Sequence, residues 1–269
     1  MLPGLGVPLL AHGQLSFGLG LALATLAVVL LQHAINLYND AADWRLGADV
    51  EKFDSWVRVH AEQPHLAVRH GTVSLLLGGL LGLLVLWQQS QWWILWLAVP
   101  LLVLGYLYNA GPRPLSYTHL GEWVTGVCYG PGVFGCLWFV AGREMDAQWL
   151  AGSVAFAALA MSLLLSHQPP QIATDREAGK LSFAVRYGAD RTRSVSYGLF
   201  VLFVFAIGTG VWLAAPGWQG GLLMLIAAGF AYRLYGVPPN PKRILVAASA
   251  FILLGSLLLV TAGLLLLIA

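Results

Sequence analysis

The sequence predicts an all-α, polytopic transmembrane helical bundle, and three observations carry that prediction. Of its 269 residues 58% are hydrophobic and 10% charged, whereas soluble domains carry roughly a quarter charged residues. Apolar runs recur along the whole length, each close to the ~20 residues that cross a hydrocarbon core. No stretch alternates with the period of two that marks the strands of a membrane barrel.

Eight clear spans follow in order, with a shortened ninth helix ahead of them. The opening "MLPGLGVPLLAHGQ" is apolar but has neither a basic leader nor a convincing cleavage site, so it reads as that shortened helix. The spans are 15–39, 71–88, 92–110, 121–141, 149–167, 195–215, 219–236 and 244–269. The second contains "LLLGGLLGLLVLW", whose glycines suit close helix contact in lipid. The third opens on Trp92 and Trp93, which fit an interfacial aromatic belt. The fourth holds Cys128 and Cys136, about 12 Å apart along a helix and too far apart to bridge. The chain reads as one domain, 1–269.

Every Lys and Arg except Arg143 falls in alternate loops, at 40–70, 111–120, 168–194 and 233–243. The positive-inside rule makes those loops cytoplasmic, which suits an integral protein of a bacterial inner membrane. The net charge of +2 is then topological, so the partner to expect is the lipid bilayer and no nucleic acid.

One polar stretch interrupts this pattern. In "NLYNDAADWRLGAD", residues 36–49, Asn36, Asp40 and Asp43 share one helical face with His33. A carboxylate within a span costs about 2.5–3.5 kcal/mol, so this face needs a water-filled cavity or a cation. Hard Mg²⁺ takes oxygen ligands and bridges substrate phosphates. A second acidic cluster lies in "QPPQIATDREAGKLSFAVRYG", residues 168–188, where Asp175 and Glu177 stand beside Arg176, Lys180 and Arg186. Such a loop is either an ordinary charged connector or half of a metal-bridged diphosphate site, its bases holding phosphate oxygens. Tyr108, near the predicted mouth, is the first choice for an aromatic that faces the cavity, or else it hydrogen-bonds only to the loop. Glu122 is an N-terminal helix charge or a functional acid. His33 and His167 read more readily as ordinary helix and loop histidines than as proton acceptors.

Three segments together resemble the UbiA superfamily of intramembrane prenyltransferases, closest to the menaquinone branch that prenylates 1,4-dihydroxy-2-naphthoate. They are "NDAADWRLGAD", "YNAGPRPLSYTHLGE" from Tyr108 to Glu122, and "TDREAGKLSFAVRYG". The resemblance implies nine helices around a lipid-open cavity and an Mg²⁺-dependent transfer of an isoprenyl group from a prenyl diphosphate to an aromatic acceptor. On the matching positions it implies Asp40, Asp43, Asp49 and Asp175 as metal ligands. Asp40, Asp43, Asp175 and Tyr108 form the expected catalytic set. Substrate contacts are expected from Asn36, Asn39, Arg58, Arg176, Lys180 and Gln171.

Departures accompany the matches. Gln171 stands where the first acid of the second motif belongs, His119 replaces a glycine, and "FDSWVRVH" leaves Arg58 as the best base after Asp49. Two other readings therefore stay open: a terpene cyclase using the same diphosphate site, and a non-catalytic binder of prenyl lipids or quinones.

Overall fold

A segment in lipid must satisfy its own backbone, which leaves helices for these apolar runs. The computed structural model describes residues 1–11, 18–48, 55–109, 114–214, 217–236 and 240–268, with side chains through 262, and no strand occurs among them. In chain order the helices are α1 (Leu2–Ala11), α2 (Leu19–Leu46), α3 (Trp56–Val59), α4 (Pro64–Gln88), α5 (Leu95–Asn109), α6 (Gly121–Val127) and α7 (Gly135–Val140). They continue with α8 (Ala147–His167), α9 (Ile172–Glu177), α10 (Phe183–Tyr187), α11 (Ala189–Ala214), α12 (Trp218–Tyr235) and α13 (Pro241–Ile268). A π-helical segment, Cys128–Phe134, joins α6 to α7 as one span.

Among the described residues seven helical segments are long and apolar enough to cross a membrane, one fewer than the eight expected. The run at 219–236 does form α12, of 18 residues. Gln219 near its start and Arg233 near its end leave it less apolar than the others. The shortened N-terminal helix is α1, ten residues long, with Val7 and Leu10 buried in the main core. That core is aromatic, built on Phe134, Trp138, Phe156, Phe203 and Phe251. Outward-facing side chains are apolar as well, Trp96 being 84% exposed, as suits a surface wetted by lipid tails.

Two close contacts hold the bundle together. α2 and α4 approach so closely that a Cβ on Gly78 would lie 2.9 Å from the Ala27 carbonyl oxygen, the small-residue packing that substitutes for hydrophobic drive in lipid. α8 and α11 are clamped by two serines. Ser162 Oγ donates to the Ser196 carbonyl at 2.7 Å and Ser196 Oγ to the Ser162 carbonyl at 2.9 Å.

α2 continues to Leu46, beyond the expected end near residue 39. It stops where Gly47 turns left-handed (φ +88°) and the Ala48 amide donates to the Asp43 carbonyl at 2.9 Å. This is a Schellman ending, which satisfies carbonyls that the last turn leaves open. Asp40 and Asp43 therefore stand on ordered helix, near its C-terminal end.

Candidate active site

The C-terminal ends of α2, α5 and α8, the start of α6 and the segment from α9 to α10 close around one cavity of about 390 Å³. Asn36, Asn39, Asp40 and Asp43 enter from α2, Tyr108 from α5 and Glu122 from α6. His167, Gln168, Gln171, Asp175, Lys180 and Ser182 complete the opposite wall. The two acidic clusters read from the sequence thus face one pocket.

Lys180 joins them. Its Nζ donates to Asp43 Oδ2 at 3.0 Å, across 137 positions of chain. Burial pulls its pKa down, but the charges of Asp43 and Asp175 and the Asp43 hydrogen bond outweigh this and raise it above the ordinary 10.5. Lys180 also lies 5.2 Å from the centre of the Tyr117 ring, within cation–π range.

Each acid is held by its backbone and by neighbours. Asp43 is 2% exposed, and Asn39 Nδ2 donates to its Oδ2 at 2.9 Å. Its Oδ1 is buried without a hydrogen-bond partner, an arrangement that costs about 1–3 kcal/mol unless a ligand supplies one. Asp40 Oδ2 accepts the Trp56 amide at 3.4 Å, tying α3 over the end of α2. Asp175, 3% exposed, accepts Ser182 Oγ at 2.7 Å. The Asp175 carbonyl accepts the Lys180 amide at 2.7 Å, beside Gly179 at φ +74°. Asp43 and Asp175 therefore sit at the same place in the same helix ending, each followed four residues later by a left-handed glycine. This shared D-x-x-x-G spacing is a sequence signal for both acids.

Glu122 resolves into a clamp. Its Oε1 accepts the Phe183 amide at 2.7 Å and Gln168 Nε2 at 3.1 Å, while Oε2 accepts Arg186 Nη2 at 3.0 Å. Gln168 Oε1 in turn accepts the Ala184 amide at 3.1 Å. With both oxygens engaged, Glu122 is bound up in holding the segment that carries Asp175 and Lys180.

Of the other expected residues, Gln171 and Tyr108 line the cavity, and Tyr108 is hydrogen-bonded to Thr125. Arg58 and Arg176 are exposed and do not line the cavity. Arg58 belongs to α3, which contributes no residue to the cavity, and Arg176 to α9, which contributes Asp175. Asp49 lies outside the described residues. His167 lines the cavity, as a loop histidine need not. Ser182 and Gln168 were not singled out from the sequence, because their roles depend on partners far away in the chain.

The sequence profile described as the UbiA prenyltransferase family matches residues 1–244. The chain belongs to the UbiA family. It is 33% identical over 219 residues to a 1,4-dihydroxy-2-naphthoate octaprenyltransferase of Mycobacterium tuberculosis, covering 80% of this chain and 73% of that one. A Bacillus subtilis protein of the same name is 27% identical over 192 residues; this chain spans 61% of its length, and the match covers 70% of this chain. Among solved structures, a UbiA homologue from Archaeoglobus fulgidus bound to GPP and Mg²⁺ superposes with a TM-score of 0.59. The superposition covers 96% of this chain and 94% of that one at 17% identity, a likeness of fold.

The UbiA-type cavity offers the donor set that a hard divalent cation takes. Its acids present oxygen only, and Asp43 Oδ1 is buried with its lone pairs unengaged, an atom of the type such a cation takes. Among the described residues no three His, Cys, Asp or Glu side chains converge as a closed cage. Mg²⁺ does not require one, since it keeps waters and takes substrate phosphate oxygens.

Proposed function

We propose that this chain is a single-domain, membrane-embedded prenyltransferase, 1–269, that moves an isoprenyl group from a prenyl diphosphate to a 1,4-dihydroxy-2-naphthoate-like acceptor. Its site would face the cytoplasm of a bacterial inner membrane, on the side of the basic loops. The observation that carries the reading is the single cavity in which Asp40, Asp43 and Asp175 meet Lys180. Family membership and the names of the relatives favour a transferase with an aromatic acceptor over a cyclase or a non-catalytic binder.

Asp40, Asp43 and Asp175 would hold Mg²⁺, with Gln171 able to add its amide oxygen. When bound, the ion supplies positive charge that stabilises the departing diphosphate. Lys180, paired with Asp43, would bind diphosphate oxygens beside these acids, and its raised pKa keeps the ammonium charged through neutral pH. Asn36 and Asn39 offer amide donors along the same wall. Cleavage of the C1–O bond leaves an allylic cation, to which the Tyr108 ring presents an electron-rich face worth about 0.5–2 kcal/mol. Attack by the acceptor ring forms the new carbon–carbon bond, and the ring proton is lost.

The test offers purified protein in lipid several prenyl diphosphates with 1,4-dihydroxy-2-naphthoate, homogentisate and 4-hydroxybenzoate, and identifies products by mass spectrometry. Prenylated naphthoate product and released diphosphate are expected only with Mg²⁺, and Asp40→Asn or Asp175→Asn should abolish both. Diphosphate release without any acceptor would favour the cyclase, and turnover that ignores both aspartate substitutions would sink the reading.

A further inference from the structure

Gln32 stands on the face of α2 that carries Asn36 and Asp43, about 6 Å deeper than Asn36 along the axis. Its side chain is hydrogen-bonded to the phenol of Tyr129. Tyr129 lies within electrostatic range of Tyr108, which lines the diphosphate cavity. Both members of the pair remain partly exposed although each stands within a span.

Tyr129 is carried by the π-helical segment Cys128–Phe134. Pro131 within it has no amide to donate to the carbonyl of an ordinary turn, and the turn widens there. Such widened turns concentrate at functional sites. Glycines pin the segment on two sides. A Cβ on Gly130 would run into the Ser153 carbonyl of α8, and one on Gly132 would lie 2.7 Å from Leu101 of α5. With those faces taken, Tyr129 is turned toward α2.

The pair is uncharged, and the stretches that carry it hold no Lys, Arg, Asp or Glu at its depth. Among the described residues, α2 carries no Lys, Arg, Asp or Glu before Asp40, and the span from α6 to α7 carries none after Glu122. A carboxylate would meet no counter-charge from either of these stretches, whereas a hydroxyl or carbonyl on a flat ring would meet both a donor and an acceptor. We propose that Gln32 and Tyr129 bind a neutral hydroxyl or carbonyl group of the aromatic acceptor and thereby orient the ring toward the prenyl carbon. The proposal rests on the prenyltransferase reading and adds to it the residues that select the acceptor. A purely structural hydrogen bond between α2 and the π-helical segment is the competing account.

The test compares naphthalene-1,4-diol with 1,4-dimethoxynaphthalene, an electron-rich ring whose two oxygens can no longer donate, at saturating prenyl diphosphate. In the unaltered chain the diol should be preferred about tenfold in kcat/KM, the discrimination of one good hydrogen bond. Tyr129→Phe and Gln32→Leu should each reduce that preference to about twofold or less, chiefly by raising KM for the diol. KM for the prenyl diphosphate should stay within about twofold. An unchanged preference in both variants overturns the proposal. So does an equal loss on both acceptors accompanied by a lowered melting temperature, which marks the bond as structural. Absence of transfer by the unaltered chain to any acceptor overturns the prenyltransferase reading itself, and this inference with it.

Discussion

At the scale of single residues, Lys180 is the side chain on which the cavity turns. Removing one partner of a buried ion pair strands the other, and Lys180→Met should cost about 3 kcal/mol of stability by leaving Asp43 uncompensated. Thermal unfolding in nanodiscs measures that loss, and Lys180→Arg should restore most of it. The pH dependence follows from the raised pKa. A base whose folded value lies above its unfolded one contributes its full stability below the unfolded value, near 10.5. That contribution disappears as pH rises through the folded value. Stability assigned to the pair should therefore be flat between neutral pH and about 10 and fall only above it. The sequence made Lys180 legible as a base beside an acid, but not as the partner of Asp43. That pairing depends on how α2 and the α9–α10 segment meet, and no local spacing encodes it. Arg58 and Arg176 show the same gap from the other side, since proximity in sequence to an acid did not bring either to the cavity wall.

At the scale of elements, Glu122 decides where the α9–α10 segment sits. Glu122→Gln keeps the shape while removing the charge that pairs with Arg186 and weakening acceptance from the Phe183 amide. The variant should lose about 1–3 kcal/mol. Its mark should be faster hydrogen exchange at the amides of Phe183 and Ala184, with the amides of α2 unaffected. A uniform increase across all helices would instead indicate global loosening. Hydropathy placed most helices within a few residues, because hydrocarbon thickness sets their length. It ended the apolar run at residue 39, whereas α2 continues to Leu46 through the polar face that helical spacing had already joined to it, and stops at Gly47. It also counted α12 as an equal of the other spans. The π-helical turn at Cys128–Phe134 was not legible, because Gly130, Pro131 and Gly132 together signal a broken helix without saying how it is broken.

At the scale of the whole molecule, the bundle class followed from the solvent the composition demands, and the end of the bundle that carries the site followed from the distribution of Lys and Arg. The resemblance had already set Asp40, Asp43 and Asp175 in one site, and they line one cavity; the pairing of Lys180 with Asp43 across it was not legible. Asp40 and Asp43 stand before the turn at 141–146, and Asp175 and Lys180 stand after it, joined across 137 positions. In a bilayer individual helices persist before they associate, so covalent continuity at that turn is dispensable in principle. Fragments 1–144 and 145–269, produced together in one membrane, should complement: one affinity tag should recover both, and only the reunited pair should retain a prenyl diphosphate. A split chain would then report on its own reassembly, its two severed pieces regaining ligand capture only once they have met in the bilayer.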